Sequence, residues 1–148
     1  MSSASIVHDV MAWLLTVTSV TSLLGTGPQG QKGVFLYDVE NDVFPAIVLD
    51  LGGAYWEEAF GQASTGIRVE DIDFHCMALD KDISIQIFEA LVKAIEAFPQ
   101  ESKMPPTTGR VIQTIRLVTA SGRQDQMTET KIEIGKRSLQ AAFRYEEI

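Results

Sequence analysis

The sequence predicts a single α+β domain spanning residues 1–148, with a mostly antiparallel β-sheet of about five strands packed against two α-helices. Two segments carry apolar residues at helical spacing, and several shorter segments alternate apolar with polar residues. Apolar residues make up 45% of the chain and charged residues 22%, which is typical of a globular domain with a real core. The predicted order is helix, three strands, helix, then two or three strands.

The first predicted helix covers residues 4–15, with serines in front of it as candidate N-caps. One wide arc of its helical wheel is apolar, and the opposite side carries His8, Asp9, Ala12 and Thr16. A short helical turn through Leu24 and a glycine-rich loop at residues 25–33 follow. The apolar arc consists of Ile6, Val7, Val10, Met11, Trp13 and Leu14.

Three strands are expected next. The first two cover residues 34–37 and 46–51, with Pro45 at the start of the second. The third runs from Ile67 to Ala78, and its apolar set changes parity near Glu70 and Asp71, which predicts a β-bulge there. Residues 52–66 between them form either an extended hairpin or a mobile loop.

The second helix is predicted for residues 82–98, capped by Asp80 or Asp82 and ended by Pro99. A polar linker at residues 100–109 leads to a strand at 110–120, and residues 121–126 are predicted as a turn. Residues 128–134 are a candidate strand. The alternation of Leu139, Ala141, Phe143 and Tyr145 with polar or small residues predicts the closing strand. The apolar stripe of the helix is Ile83, Ile87, Leu91, Ala94, Ile95 and Phe98.

The sequence offers no catalytic, cofactor or metal site. Cys76 is the sole cysteine and cannot form an internal disulfide, and His75–Cys76 lacks the further ligands that a zinc site needs. We expect Cys76 to pack as a small hydrophobe and His75 to face outwards. Asp71 and Asp73 share a strand face, but no nucleophile accompanies them.

One segment predicts contact with a partner: Tyr55, Trp56, Glu57, Glu58 and Phe60 in the glycine-bounded stretch. Its aromatic residues either anchor a partner protein or cover the edge of the core. Basic residues concentrate in the C-terminal third, which suits either pairing between subunits or a scatter of solvated charges. They are Arg110, Arg116, Arg123, Lys131, Lys136 and Arg137.

The formal charge of −8 argues against a direct grip on nucleic acid, because an acidic surface repels phosphates. The first five residues carry no basic run before an apolar core, and the apolar runs are far shorter than the about 20 residues of a membrane span. We therefore expect a soluble cytoplasmic product.

The chain resembles the tail terminator (tail completion) proteins of tailed bacteriophages and gene transfer agents. The resemblance runs from about Ile6 to Tyr145. It rests on the first helix leading to residues 20–25, on residues 33–35 and 45–49 as two short strands, and on a third strand that feeds directly into the second helix. A final pair of strands ends in residues 143–145.

The resemblance implies a structural virion protein, assembled in the host cytoplasm and located in the tail or neck. It implies a ring, usually of six copies, that caps the tail tube, ends its growth and meets the head connector or head completion protein. DNA passes through the lumen of such a ring without specific binding. Alternatives are another neck or tail-tube component, a small ligand-binding α+β domain, or an adaptor that uses Tyr55 and Trp56.

Overall fold

The computed structural model describes residues 5–58, 64–106, 109–120, 124–127 and 133–146. Within these ranges the chain forms three helices and seven strands. In chain order they are α1 (Val7–Leu14), α2 (Thr18–Thr21), β1 (Val34–Leu36), β2 (Ala46–Glu58), β3 (Ser64–Ala78), α3 (Lys81–Ala97), β4 (Ser102–Met104), β5 (Arg110–Ala120), β6 (Gln124–Met127) and β7 (Glu133–Glu146).

All seven strands belong to one mixed sheet in the order β1-β2-β3-β7-β5-β4, with β6 also paired to β7. The pair β1 and β2 is parallel and the other pairs are antiparallel. The sheet is curled into a half-barrel. Its centre is the pair β3 and β7, which stay in unbroken register from Ile67 opposite Glu146 to Ala78 opposite Gly135.

The predicted fold class, a sheet of about five strands packed against two helices, is wrong. The described residues instead form a mixed, curled half-barrel sheet of seven strands, with more strand and less helix than predicted. β4 lies inside the predicted polar linker, and β6 overlaps the predicted turn. β2 continues to Glu58 and β3 begins at Ser64, so the glycine-bounded stretch between them is a hairpin in its described part. Polar segments such as β4 and β6 show little strand pattern in their own sequence, because they become strands through pairing with β5 and β7.

The main core lies between one face of the sheet, here called the inner face, and the helices α1 and α3. Phe74 and Phe143 meet at its centre with ring centroids 6.2 Å apart. A smaller cluster lies on the opposite, outer face of the sheet near β1. It consists of Phe35, Val43, Ala46, Val48, Met77 and Ile134.

The first helix follows the predicted apolar arc closely. Ile6, Val7, Val10, Trp13 and Leu14 are buried. The hydroxyl of Ser5 accepts a hydrogen bond from the Val7 amide over 3.0 Å, but the predicted serine cap is wrong, because the N-cap position of α1 is Ile6 and no side chain caps the helix.

The second long helix, α3, is capped by Asp80, whose side chain accepts a hydrogen bond from the Asp82 amide over 2.9 Å. Ile87, Leu91 and Ile95 of the predicted stripe are buried against the sheet. The end of the helix meets α1, where the rings of Trp13 and Phe98 pack edge to face with centroids 5.6 Å apart.

The predicted bulge lies on the neighbouring strand. β3 runs in regular register with β7 through Glu70 and Asp71. The irregularity is in β2, where the pairs shift between Leu51 opposite Ile72 and Ala54 opposite Glu70, so that Gly52 and Gly53 together face the single residue Asp71. The apparent change of parity in β3 arises because Glu70 occupies an inward position, where it is only 3% exposed.

Candidate functional site

The outer face of the sheet is polar along its centre. Asp71, Asp73 and His75 alternate with the buried inward residues of β3, and Ser138 and Gln140 do the same on β7. Asp50 of β2 lies directly opposite Asp73. The sequence places Asp71 and Asp73 on a common face, and the structure adds Asp50 to the same acidic strip.

Asp50, His75 and Ser138 form a hydrogen-bonded chain across three strands. The Nδ1 atom of His75 lies 2.6 Å from the Ser138 hydroxyl, and its Nε2 atom lies 3.0 Å from Oδ2 of Asp50. A neutral imidazole protonated at Nε2 satisfies both contacts, donating to Asp50 and accepting from Ser138. His75 lies on the outer face of the sheet, as predicted, where it is half-buried and held by these two contacts.

These are the residue types of a serine-hydrolase triad, but the geometry differs. In a triad the serine contacts Nε2 and the carboxylate contacts Nδ1, and backbone amides stand ready for the oxyanion. Here the two nitrogens are exchanged. Ser138 also lies inside a strand, where the neighbouring side chains turn to the opposite face of the sheet. The arrangement fixes a cross-strand polar contact, and we assign no reaction to it.

Glu70 is the centre of a buried polar cluster on the inner face. Its Oε1 atom accepts hydrogen bonds from the Tyr145 hydroxyl over 3.0 Å and from the Ile6 amide over 3.2 Å. The hydroxyl of Ser5 donates to its Oε2 atom. Burial is the main cause, and the neighbouring Glu70 the second, of a pKa of Tyr145 above its ordinary value. The phenol therefore remains a hydrogen-bond donor.

Arg110 completes the attachment of the N-terminal helix. Its Nε atom donates to Asp9 over 3.1 Å, and another of its nitrogens donates to the Ser5 carbonyl over 3.1 Å. Its guanidinium group also lies 5.2 Å from the centre of the Tyr145 ring. This cluster was not predicted from the sequence. Its one signal is that Glu70 is in phase with the inward set that continues through Ile72.

The predicted basic concentration is divided between different environments. Arg110 is engaged with α1, and Arg137 lies over the Phe88 ring at 4.2 Å, so both belong to the inner face. Arg116 is exposed and Lys136 is half-buried. Arg123 and Lys131 lie outside the described residues.

The predicted partner-contact segment is placed only in part. Tyr55, Trp56, Glu57 and Glu58 are the last residues of β2. All but Glu57, which lies at a register irregularity, pair with the start of β3. Phe60 lies outside the described residues. Anchoring of a partner by this segment stays a prediction.

The sole cysteine is fully buried, as predicted, and burial raises the pKa of the Cys76 thiol to about 12. His8 of α1 is exposed. No group of three or more His, Cys, Asp or Glu side chains within the described ranges is arranged to hold a metal ion.

An apolar groove of about 440 Å³ lies between α3 and the first two helices. Trp13, Val17, Ala94, Phe98 and Pro106 form much of its wall. The wall of the groove is mostly apolar. Specific small-molecule sites usually have several polar groups at fixed positions that orient the ligand.

The two edges of the sheet are only partly paired with a further strand. β1 pairs with β2 only over Ile47–Leu49, and β4 pairs with β5 only over Arg110–Ile112. In the described part of the chain, the rest of the β2 edge that faces away from β3, and of the β5 edge that faces away from β7, pairs with no strand. Three large apolar side chains lie along these open stretches, Leu51 with 39% of its surface exposed, Leu117 with 38% and Val118 with 37%.

None of the helices in the described ranges combines the length and apolarity needed to cross a bilayer. No known protein-family model matches the chain, and no curated protein sequence matches it. A solved structure does match: a chain of the virion of a native gene transfer agent particle, with a TM-score of 0.57 at 12% identity. The alignment covers 98% of this chain and 100% of that one, so the two share a fold over nearly all of both.

Proposed function

We propose that this chain is a structural protein of a phage-like particle and acts in it as a tail terminator. In this role its copies form a ring, six by analogy with the tail terminators that it resembles, that sits on the last ring of the tail tube. The ring ends polymerisation of the tube protein and offers its far side to the head connector or head completion protein.

One observation carries the proposal: the fold corresponds over almost the whole chain to a chain of a gene transfer agent virion. The correspondence covers 98% of one chain and 100% of the other, whereas a shared motif would cover only part of each. The order of elements along the sequence supports the narrower role, because it resembles that of the tail terminators of such particles.

The electrostatics suit a ring through which DNA travels. The chain carries a net charge of −8. Asp50, Asp71 and Asp73 form an acidic strip on the outer face of the sheet, which also carries the basic residues Arg116, Lys136 and Arg144. A lumen lined by carboxylates repels the phosphate backbone and leaves DNA free to slide. The proposal needs no catalytic residue. It places the protein in the host cytoplasm during assembly and in the tail or neck of the finished particle.

The test is to mix the purified chain with polymerising tail-tube subunits from the same genome and to image the products by electron microscopy. A terminator arrests growth and appears as a ring at one end of each tube, so mean tube length falls as its concentration rises. Incorporation all along the tubes supports a tail-tube component instead. A chain that stays monomeric and leaves tube length unchanged contradicts both roles.

A further inference from the structure

The open stretches of β2 and β5 lie at the same height on opposite sides of the sheet. Leu51 of β2 is opposite Ile72 of β3, Ile72 is opposite Ala141 of β7, and Ala141 is opposite Leu117 of β5. Residues directly opposite each other in a sheet share a face. The four side chains therefore form one apolar row on the inner face, buried in the middle and exposed at both ends.

We infer that successive copies of the chain join by adding the open edge of β2 of one copy to the open edge of β5 of the next. Leu51 of one copy then lies on Leu117 of its neighbour, and the apolar row continues from copy to copy. The inference rests on the proposed ring and names the contact that builds it.

Strand direction favours this junction. β2 and β7 both run antiparallel to β3, and β5 runs antiparallel to β7, so β5 is antiparallel to β2. A rotation about an axis roughly along the strands preserves strand direction. A neighbouring β2 brought to β5 in this way pairs antiparallel and extends the sheet. The two surfaces differ, so the contact is head-to-tail, which is the type that closes into rings.

β1 and β4 each pair with only part of the neighbouring strand, and the parts of β2 and β5 that they leave unpaired lie level with each other. β1 covers β2 at the end where β2 begins, and β4 covers β5 at the end where β5 begins. Because the two strands run in opposite directions, these covers lie at opposite ends of the sheet. In the described chain, the segment from Asp50 to Ala54 is at the height of the segment from Ile115 to Thr119, and no strand covers either.

The shape and charge of the two edges are complementary. Leu117 and Val118 line an apolar groove of about 170 Å³ beside Val92 of α3, where a leucine from a neighbour can be received. On the outer face, Arg116 is exposed on the β5 side, and Asp50 lies on the β2 side. Across an antiparallel junction these two residues are diagonal neighbours, within reach of an arginine side chain.

The experiment is disulfide crosslinking of the double variant L51C/L117C. Within one chain the two positions are three strand spacings apart, roughly 14 Å, and cannot form a disulfide. The native Cys76 is buried and does not compete. The control is L79C/L117C, because Leu79 is even more exposed, at 55%, but lies outside the proposed contact.

Oxidation is performed on the purified chain across its soluble concentration range and on the chain mixed with tube subunits. We expect a ladder of covalent oligomers that ends at the closed ring, is absent from the control and collapses on reduction. A ladder of equal extent in the control overturns the inference. Rings seen by electron microscopy without the ladder also overturn it but leave the terminator role intact. If neither rings nor a ladder form in the presence of tubes, the result contradicts both the inferred contact and the terminator role.

A second variant tests the contact without crosslinking. Leu117→Asp places a carboxylate in the apolar junction and is expected to weaken self-association by about tenfold or more, as removal of a central interface residue does. Leu79→Asp is the matched control and should leave association within about twofold of the unmodified chain. Circular dichroism verifies that both variants fold. Equal association of the two variants overturns the inference.

Discussion

Replacing Tyr145 by phenylalanine tests whether the buried Glu70 cluster holds the N-terminal helix on the sheet. The change removes the hydroxyl that donates to Glu70 over 3.0 Å and leaves the ring, which is fully buried, in place. A hydrogen bond to a charged group contributes about 1.5–3 kcal/mol, so we expect the free energy of unfolding to fall by about 2 kcal/mol. For a chain of this length, that loss lowers the melting temperature by about 4–8 °C.

The assay is urea unfolding followed by circular dichroism, with Tyr37→Phe as the matched control. Tyr37 is 53% exposed, so losing its hydroxyl should change the unfolding free energy by less than about 0.5 kcal/mol. Combining Tyr145→Phe with Glu70→Gln should give a non-additive loss of at least about 0.5 kcal/mol, since the two side chains share one hydrogen bond. Equal stability of the Tyr145 and Tyr37 variants would refute the assigned role of the cluster.

Three further changes follow from the packing. Because burial raises the folded-state pKa of Cys76 to about 12, from an ordinary value of 9.0, the unfolded thiol ionises first. Stability should therefore fall as pH rises from about 9 towards 12, and urea unfolding of Cys76→Ala should show a shallower decline over that window. Gly25→Ala places a Cβ 2.4 Å from the Phe44 carbonyl oxygen, so thermal unfolding should show a lower melting temperature, whereas Gly53→Ala, with open space around it, should differ little. Leu91→Ala in α3 should cost about 2–5 kcal/mol in urea unfolding, because Leu91 is fully buried in the main core; a loss below about 1 kcal/mol would contradict that packing.

The sequence predicted those helices and strands whose apolar residues repeat at a regular local spacing. α1 and α3 each carry one apolar face, and β7 alternates apolar with polar or small residues from Leu139 to Tyr145, so each could be located from its own residues. β4 and β6 are short and polar, and their strand structure depends on partners elsewhere in the chain. The count of strands in the predicted fold was therefore too low.

Glu70 shows why the buried cluster was not predicted. A glutamate is rarely buried, so sequence reasoning placed it outwards and explained the pattern by a bulge. Its hydrogen-bond partners Tyr145 and Ser5 are 75 and 65 residues away, and no local pattern reveals them. The row from Leu51 to Leu117 is hidden for a similar reason, because it depends on the register of four strands at once.

The proposed role is tested most directly by locating the chain inside an assembled particle. Particles carrying an epitope-tagged copy can be labelled with gold and imaged by electron microscopy. A tail terminator predicts label at one position per particle, where the tail meets the head. Label distributed along the tail, or particles of normal form that contain no label, would contradict the proposal.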